Sequence, residues 1–388
     1  MKEVNLQKKS ILVISHVYTT VPVEDLNEYL LNKKVKYLLY IKHPLFYKDG
    51  LAGSAYYLYK NGKLIKSTQV SNIRLPNILK YIIDIFLSIY WVLLLKERFD
   101  ITICLDNLNT VSGLVLRLLH KVDKVVFYTI DYVPIRFSNK ILNSLYHLID
   151  KIAVSFSDRT WVLTQRMIDG REKLHGIKNT NNKQVIVPIG IWFPRIKRKP
   201  ISKIYKHTLV YAGGLLPHQG VQLLLKALPL IKKQIPTITL KIIGTGEYEK
   251  ELKKIVEKNK LDDVVTFLGY FPSHADVEEI LTSCALGIGL YSKELDIWSY
   301  YADPSKMKTY LAAGLPVVTT DVTYFSEIVK KEKCGVVVRY DEKDVSSKII
   351  DLLSNESQYS NMRKNAIKLA SSLDWNVVFD KGFADLVI

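Results

Sequence analysis

The sequence predicts an α/β protein built from two doubly wound, Rossmann-like domains facing a central cleft. Apolar runs of strand length alternate with amphipathic helical stretches almost from end to end, the pattern of parallel sheets covered by helices on both faces. A chain of 388 residues accommodates two ordinary domains. Glycine-bearing turns follow successive strands in the second half, and sheets of this kind bind ligands beyond the carboxyl ends of their strands.

In the first half, strands are expected at 11–17, 35–41, 101–105, 125–130, 160–163 and 185–189. A hairpin is expected at 55–59 and 64–70 around Asn61-Gly62, a dipeptide suited to a two-residue turn. One segment departs from the pattern. Residues 81–95, YIIDIFLSIYWVLLL, are apolar on nearly every side with Asp84 as the only charge, yet fall short of the ~20 residues that span a bilayer. A buried helix covering the sheet is the ordinary reading. The alternative is a face that dips into a membrane interface, helped by Tyr90, Trp91 and the flanking Lys80, Lys96 and Arg98.

The second half repeats the alternation, with strands expected at 209–212, 239–243, 264–268, 286–290, 317–320 and 336–339. Between the halves a basic stretch with Pro194 and Pro200 shows no clean period. The expected division is a first domain at 1–190, a linker at 191–207, a second domain at 208–372, and a C-terminal helix at 373–388 crossing back towards the first domain.

Composition narrows the class. An apolar fraction of 48% and a charged fraction of 24% belong to a globular protein, not a disordered one. The formal charge of +17 points to an anionic partner: nucleic acid, an acidic membrane surface or a phosphorylated small molecule. Part of it is local, in Arg195, Lys197, Arg198, Lys199, Lys203 and Lys206. No zinc finger or interleaved basic and aromatic block occurs, so nucleic acid is not an expected partner. Three widely spaced cysteines, Cys104, Cys284 and Cys334, argue against a disulfide framework and for a reducing compartment. The N-terminal apolar run is too short for a signal peptide, and a cytoplasmic protein is expected.

Residues 303–321, DPSKMKTYLAAGLPVVTTD, carry the most chemistry. Asp303 suits an N-cap, Pro304 the first helical turn and Gly314 the stop, so a helix is expected over about 304–313. Its free amides around Ser305, Lys306 and Met307 would face an anion above the helix, with the positive end of the dipole behind them. Lys306 adds a full charge. Glycine turns add Gly213, Gly214 and Gln219 after 209–212, Gly244 and Gly246 after 239–243, and Tyr270 after 264–268. Together these describe a nucleotide-like pocket without a P-loop or a dinucleotide fingerprint.

The segments VYAGGLLPHQGVQLLLKAL, KIIGTGEYEKEL, VVTFLGYFP, CALGIGLY and PSKMKTYLAAGLPVVTTD follow one another in that order, preceded by VIVPIGI at 185–191. Over roughly 185–375 the chain thereby resembles the donor domain of the B-fold, group 1 type of nucleotide-sugar glycosyltransferases. In pattern it is similar to the membrane-associated exopolysaccharide and glucuronosyltransferase-like members. The resemblance implies an acceptor-binding first domain and a donor-binding second domain. It also implies transfer of a hexosyl or glucuronosyl unit from a nucleoside-diphosphate sugar, UDP-linked, to a hydroxyl of a lipid-linked or cell-surface glycan. The nucleotide sugar is then a co-substrate and no cofactor is needed; the basic surface and the apolar helix at 81–95 add the expectation of a peripheral location on an anionic membrane surface, at its inner face.

The departures from the family pattern matter as much. Gly214 and Gln219 stand where the family commonly has an arginine and a lysine that grip the diphosphate, and Tyr301 and Thr309 where it tends to place glutamates. Donor gripping then falls on Lys306, the Ser305 and Met307 backbone, and Tyr310. These losses keep open a catalytically degenerate nucleotide-sugar-binding protein. A nucleotide-sugar 2-epimerase of the same fold would need carboxylates and histidines around the sugar, and no such constellation is visible.

In the first half, Asp131 follows directly on a strand, and it is the candidate base for the acceptor hydroxyl. Its alternative is a loop cap paired with Arg136. His16, after the first strand, is the reserve base or acceptor ligand. No Asp-x-Asp pair or Cys/His cluster at ligand spacing occurs, so no metal site is expected.

Overall fold

A computed structural model of the chain describes residues 4–17, 22–44, 53–71, 75–295 and 298–386. The chain divides into two compact units, 1–188 together with 375–388, and 189–374.

The strands of the first unit are β1 (Ser10–Val17), β2 (Tyr37–Pro44), β3 (Ala55–Lys60), β4 (Lys63–Gln69), β5 (Phe99–Leu105), β6 (Val122–Thr129), β7 (Arg159–Val162) and β8 (Gln184–Ile186). They lie in the order β4-β3-β2-β1-β5-β6-β7-β8, antiparallel from β2 to β4 and parallel elsewhere. The central parallel strands are buried on both faces, which is why β1 and β5 are mostly apolar, with the polar Ser15, His16 and Thr102 buried among them. Asn61 and Gly62 both take positive φ, 48° and 80°, the geometry of a two-residue hairpin turn. β2 starts at Tyr37 instead of 35 because the Val35 and Lys36 carbonyls receive the Asn61 amide of that turn.

The apolar segment forms the helix Asn77–Leu94. Full burial, the ordinary expectation for it, does not hold. Trp91 and Val92 join the core and Asp84 turns inward, while Ile78, Phe86 and Leu94 are exposed. The closing helix Trp375–Phe383 packs in this unit too: Phe379 lies 5.1 Å from the Tyr29 ring and Phe383 5.2 Å from Trp161.

The second unit is a six-stranded, wholly parallel sheet of β9 (Thr208–Ala212), β10 (Thr239–Ile243), β11 (Val265–Gly269), β12 (Leu286–Gly289), β13 (Val317–Thr320) and β14 (Gly335–Val338). The order is β11-β10-β9-β12-β13-β14. Side chains alternate between two cores: Leu209 and Tyr211 join one with the helix Val221–Gln234, and Val210 joins the other with the helix Ser305–Ala313. Residues 191–207 count with this unit. Ile196 is in its core, and Arg198 donates to the Ala312 carbonyl at 3.1 Å while lying over the Phe193 ring.

Candidate active site

The helix Ser305–Ala313 starts one residue later than the cap reading requires, and Asp303 does not cap it. The Asp303 carboxylate instead accepts from Lys308 Nζ at 2.5 Å and from the Ile189 amide at 2.8 Å, all three buried or half-buried. Lys308 also donates to the Ile189 carbonyl at 2.6 Å. Burial pulls the Lys308 pKa down, against the attraction of Asp303. The residue that would have capped the helix is thus drawn off to a buried lysine. Pro304 takes the cap position with no side-chain hydrogen bond, and the first-turn amides of Ser305, Lys306 and Met307 have no acceptor among the described residues. Such amides and the dipole behind them form a ready anion site.

Tyr310 hangs this helix on the sheet. It is fully buried, and its hydroxyl accepts from the Ala212 amide at 2.7 Å, at the carboxyl end of β9. Glycines make the close packing possible: a Cβ at Gly287 would run into the Tyr310 ring, and one at Gly289 would stand 2.9 Å from Met307 Cε. Tyr310 and the Met307 side chain are therefore supports, and only the Met307 amide lies at the helix end.

Lys306 gathers the rest. Its ammonium donates to Gln219 Oε1 and to Tyr211 OH at 3.2 Å, and it sits 4.5 Å from the Tyr211 ring centre and 5.2 Å from that of Tyr291. Burial lowers its pKa to about 7, and no carboxylate offsets that burial. A cation held by dipoles and π faces, without an acid to neutralise it, has its attraction free for an incoming anion.

The glycine turns close around the same place. Gly213 donates to the Ile243 carbonyl and Leu215 to that of Thr245, so the turns after β9 and β10 are laced together. Gly244 has φ +117°, and a Cβ there would strike the Gly213 carbonyl; a Cβ at Gly213 would come within 2.9 Å of Lys306 Nζ. Gly214 accepts from Tyr211 OH at 2.7 Å, and Gly246 lies against the Leu215 backbone. Ser305 is exposed, and Thr309 Oγ1 donates to the Ser305 carbonyl at 3.2 Å. Tyr270 is exposed beyond β11, the edge strand two places from β9. Tyr211 and Tyr291 were not legible as site residues, because a tyrosine within a strand or just beyond an apolar one reads as core.

In the first unit, Asp131 and Arg136 are paired at 2.5 Å, with the aspartate almost half exposed. His16 is buried. Its Nδ1 lies 2.8 Å from Asp106 Oδ2 and its Nε2 3.4 Å from Asp84 Oδ2. Burial alone would lower its pKa, but Asp106 and Asp84 together raise it to about 9. Burial would likewise raise Asp84, yet its bonds to His16 and His43 hold it below the usual carboxylate range. With Nδ1 bonded to Asp106 and Nε2 at ion-pair distance from Asp84, His16 is a buried cation that holds other groups.

The more exposed end of this cluster is Asp106, which sequence reasoning missed. It has φ 74° and ψ 163°, a conformation close to glycine-only territory, and it accepts from the Asn109 amide at 2.8 Å. Asp106 and Asp131 line one cavity of about 90 Å³ with Tyr81, Phe127, Arg136 and Tyr146. Among the described residues, no group of three or more His, Cys, Asp or Glu is placed to hold a metal ion.

Two Rossmann-like units, one with an uncapped helix and Lys306 beyond its strand ends, have the architecture of B-fold glycosyltransferases. Residues 193–369, most of the second unit, match the family described as Glycosyl transferases group 1. The chain is 28% identical over 176 residues, 45% of its length, to the chitobiosyldiphosphodolichol beta-mannosyltransferase of Yarrowia lipolytica, covering 36% of that protein. It is 26% identical over 145 residues, 37% of its length, to the putative colanic acid biosynthesis glycosyltransferase WcaL of Escherichia coli K12, covering 34%. The match therefore spans about a third of these curated relatives. The solved structure of Anabaena HepE in complex with UDP matches with a TM-score of 0.69 at 14% identity, over 97% of this chain and 98% of that one, a likeness of fold.

Proposed function

We propose that the protein transfers a sugar from a UDP-linked donor to a hydroxyl of a lipid-linked or cell-surface glycan, at the cytoplasmic face of a membrane and without a metal ion. The observation that carries this reading is the convergence of the uncapped amides of Ser305, Lys306 and Met307 with an unneutralised Lys306 ammonium. A diphosphate there meets a full charge and aligned dipoles. As the bond from the anomeric carbon to the diphosphate oxygen breaks, charge grows on the leaving oxygen and these contacts strengthen, which is where a catalyst needs them. The acceptor hydroxyl would lose its proton to a carboxylate of the Asp131 and Asp106 cavity, with Asp131 as the base and His16 fixing Asp106.

The UDP bound to Anabaena HepE and the diphosphodolichol in the Yarrowia enzyme's name favour this donor and acceptor type. The colanic acid assignment of WcaL favours extracellular polysaccharide assembly. The exposed outer face of the helix Asn77–Leu94 favours a peripheral membrane location; no helix among the described residues is long and apolar enough to cross a membrane.

The test is thermal unfolding with UDP, GDP, ADP and CMP and their sugar conjugates, for the wild type and Lys306→Ala. A ligand at a hundred times its dissociation constant stabilises by about 2.7 kcal/mol. A shift with uridine nucleotides alone that vanishes in the variant is expected. A donor that binds without release of UDP in the presence of chelator, across lipid-linked acceptors, would favour a degenerate binding protein.

A further inference from the structure

The helices Asn77–Leu94 and Lys140–Phe156 carry their charges inside out. Their only acidic side chains, Asp84 and Asp150, are 3% and 1% exposed. Asp84 is held by His16 and His43, and Asp150 by Arg171 through contacts of 2.8 and 3.0 Å. Outward, both helices are apolar. Phe86 is 67% exposed and Ile141 80%, and on the second helix Leu145, Leu148, Ile152 and Phe156 continue the exposed row every third or fourth residue. A surface helix of a protein that meets only water has the opposite arrangement.

One helix links the two faces. The helix Asn107–Leu118 packs against both, with Leu118 exposed at its end. Around them stand exposed Lys96, Lys140 and Lys151, and neither helix exposes a carboxylate. An apolar surface whose helices expose lysines and no carboxylate fits one occupant, a leaflet containing anionic phospholipid: acyl chains take the apolar side chains and headgroups the lysines.

We infer that the two helices form a single platform that docks on an anionic leaflet, with Lys140–Phe156 contributing as much as Asn77–Leu94. The inference rests on the membrane location proposed above and adds the second helix. It also gives the acceptor a path. The cavity of Asp106 and Asp131 is walled by Tyr81 from the first helix and Tyr146 from the second, so a lipid-borne sugar would arrive between the two docked helices.

Flotation of the full-length protein with vesicles of phosphatidylcholine, with and without phosphatidylglycerol, tests this using Phe86→Glu and Leu145→Glu separately. Both positions are exposed, and an unchanged melting temperature reports that each variant is folded; Leu145→Ser replaces Leu145→Glu if the charge unfolds the chain. The wild type should float with the phosphatidylglycerol vesicles at low salt, and each variant should lose at least about tenfold in apparent affinity. Loss in Phe86→Glu alone would overturn the two-helix platform and leave the single-helix location standing. A wild type that stays behind overturns both. If it also sediments as a dimer that Leu145→Glu dissolves, the face is a contact between copies.

Discussion

Lys306, half-buried, and His16, buried, are both cations, and their proton equilibria are displaced in opposite directions. Lys306 titrates near 7 because burial disfavours its charge. A uridine diphosphate sugar does not change its own charge between about pH 6 and 8, so its binding there should follow Lys306. Calorimetric affinity for the preferred nucleotide sugar is expected to fall by up to about tenfold per pH unit above 7, and Lys306→Gln should bind weakly with a flat profile. In the free protein the native state has released a proton that the unfolded chain keeps until its ordinary lysine pKa of 10.5. Stability from this group therefore rises with pH between those values, by up to about 1.4 kcal/mol per unit. His16 runs the other way: a folded pKa of about 9 against 6.5 gives stability that is complete below 6.5 and lost as pH rises through 9. The melting-temperature deficit of His16→Gln should accordingly be largest near pH 6 and shrink by pH 9.5.

The helix Ser305–Ala313 shows what a sequence discloses about a site and what it withholds. Its position and its stop at Gly314 were legible in capping chemistry, and Gly314 does take the left-handed conformation, φ 83°. The destination of Asp303 was hidden, because its second partner, Ile189, lies more than a hundred residues earlier. Asp106 was invisible for a similar reason: a lone aspartate after a strand gains meaning only when folding brings His16 to it across two strand ends. The outer face of Asn77–Leu94 was ambiguous because an almost wholly apolar run has no polar side to reveal its orientation. The helix also yields two tests. Tyr310→Phe leaves the half-buried Ala212 amide unpaired, a cost of about 1–3 kcal/mol, and loosens the anion site, so a lower melting point and weaker nucleotide-sugar binding are expected together. Gly213→Ala presses on Lys306 Nζ, and should weaken the nucleotide-induced thermal shift more than it lowers the melting point itself.

For the whole molecule, the fold class and the alternation of strands and helices were legible because period and turn chemistry repeat many times along the chain, so local ambiguities average out. The chain enters one unit, builds the other, and returns: residues 375–388 finish what 1–188 began. Trp375, Phe379 and Phe383 are buried there. Removing 375–388 is expected to destabilise the first unit, seen as a separate early melting transition, while the nucleotide-induced shift of the second unit persists. The same return has a consequence during synthesis. At roughly 5–20 residues per second, translation of residues 189–374 occupies about 10–40 s. For that interval the nascent first unit waits with its Tyr29 surface uncovered and the apolar rows around Phe86 and Ile141 already made. A chaperone or a nearby membrane would find both before the ribosome supplies the final helix.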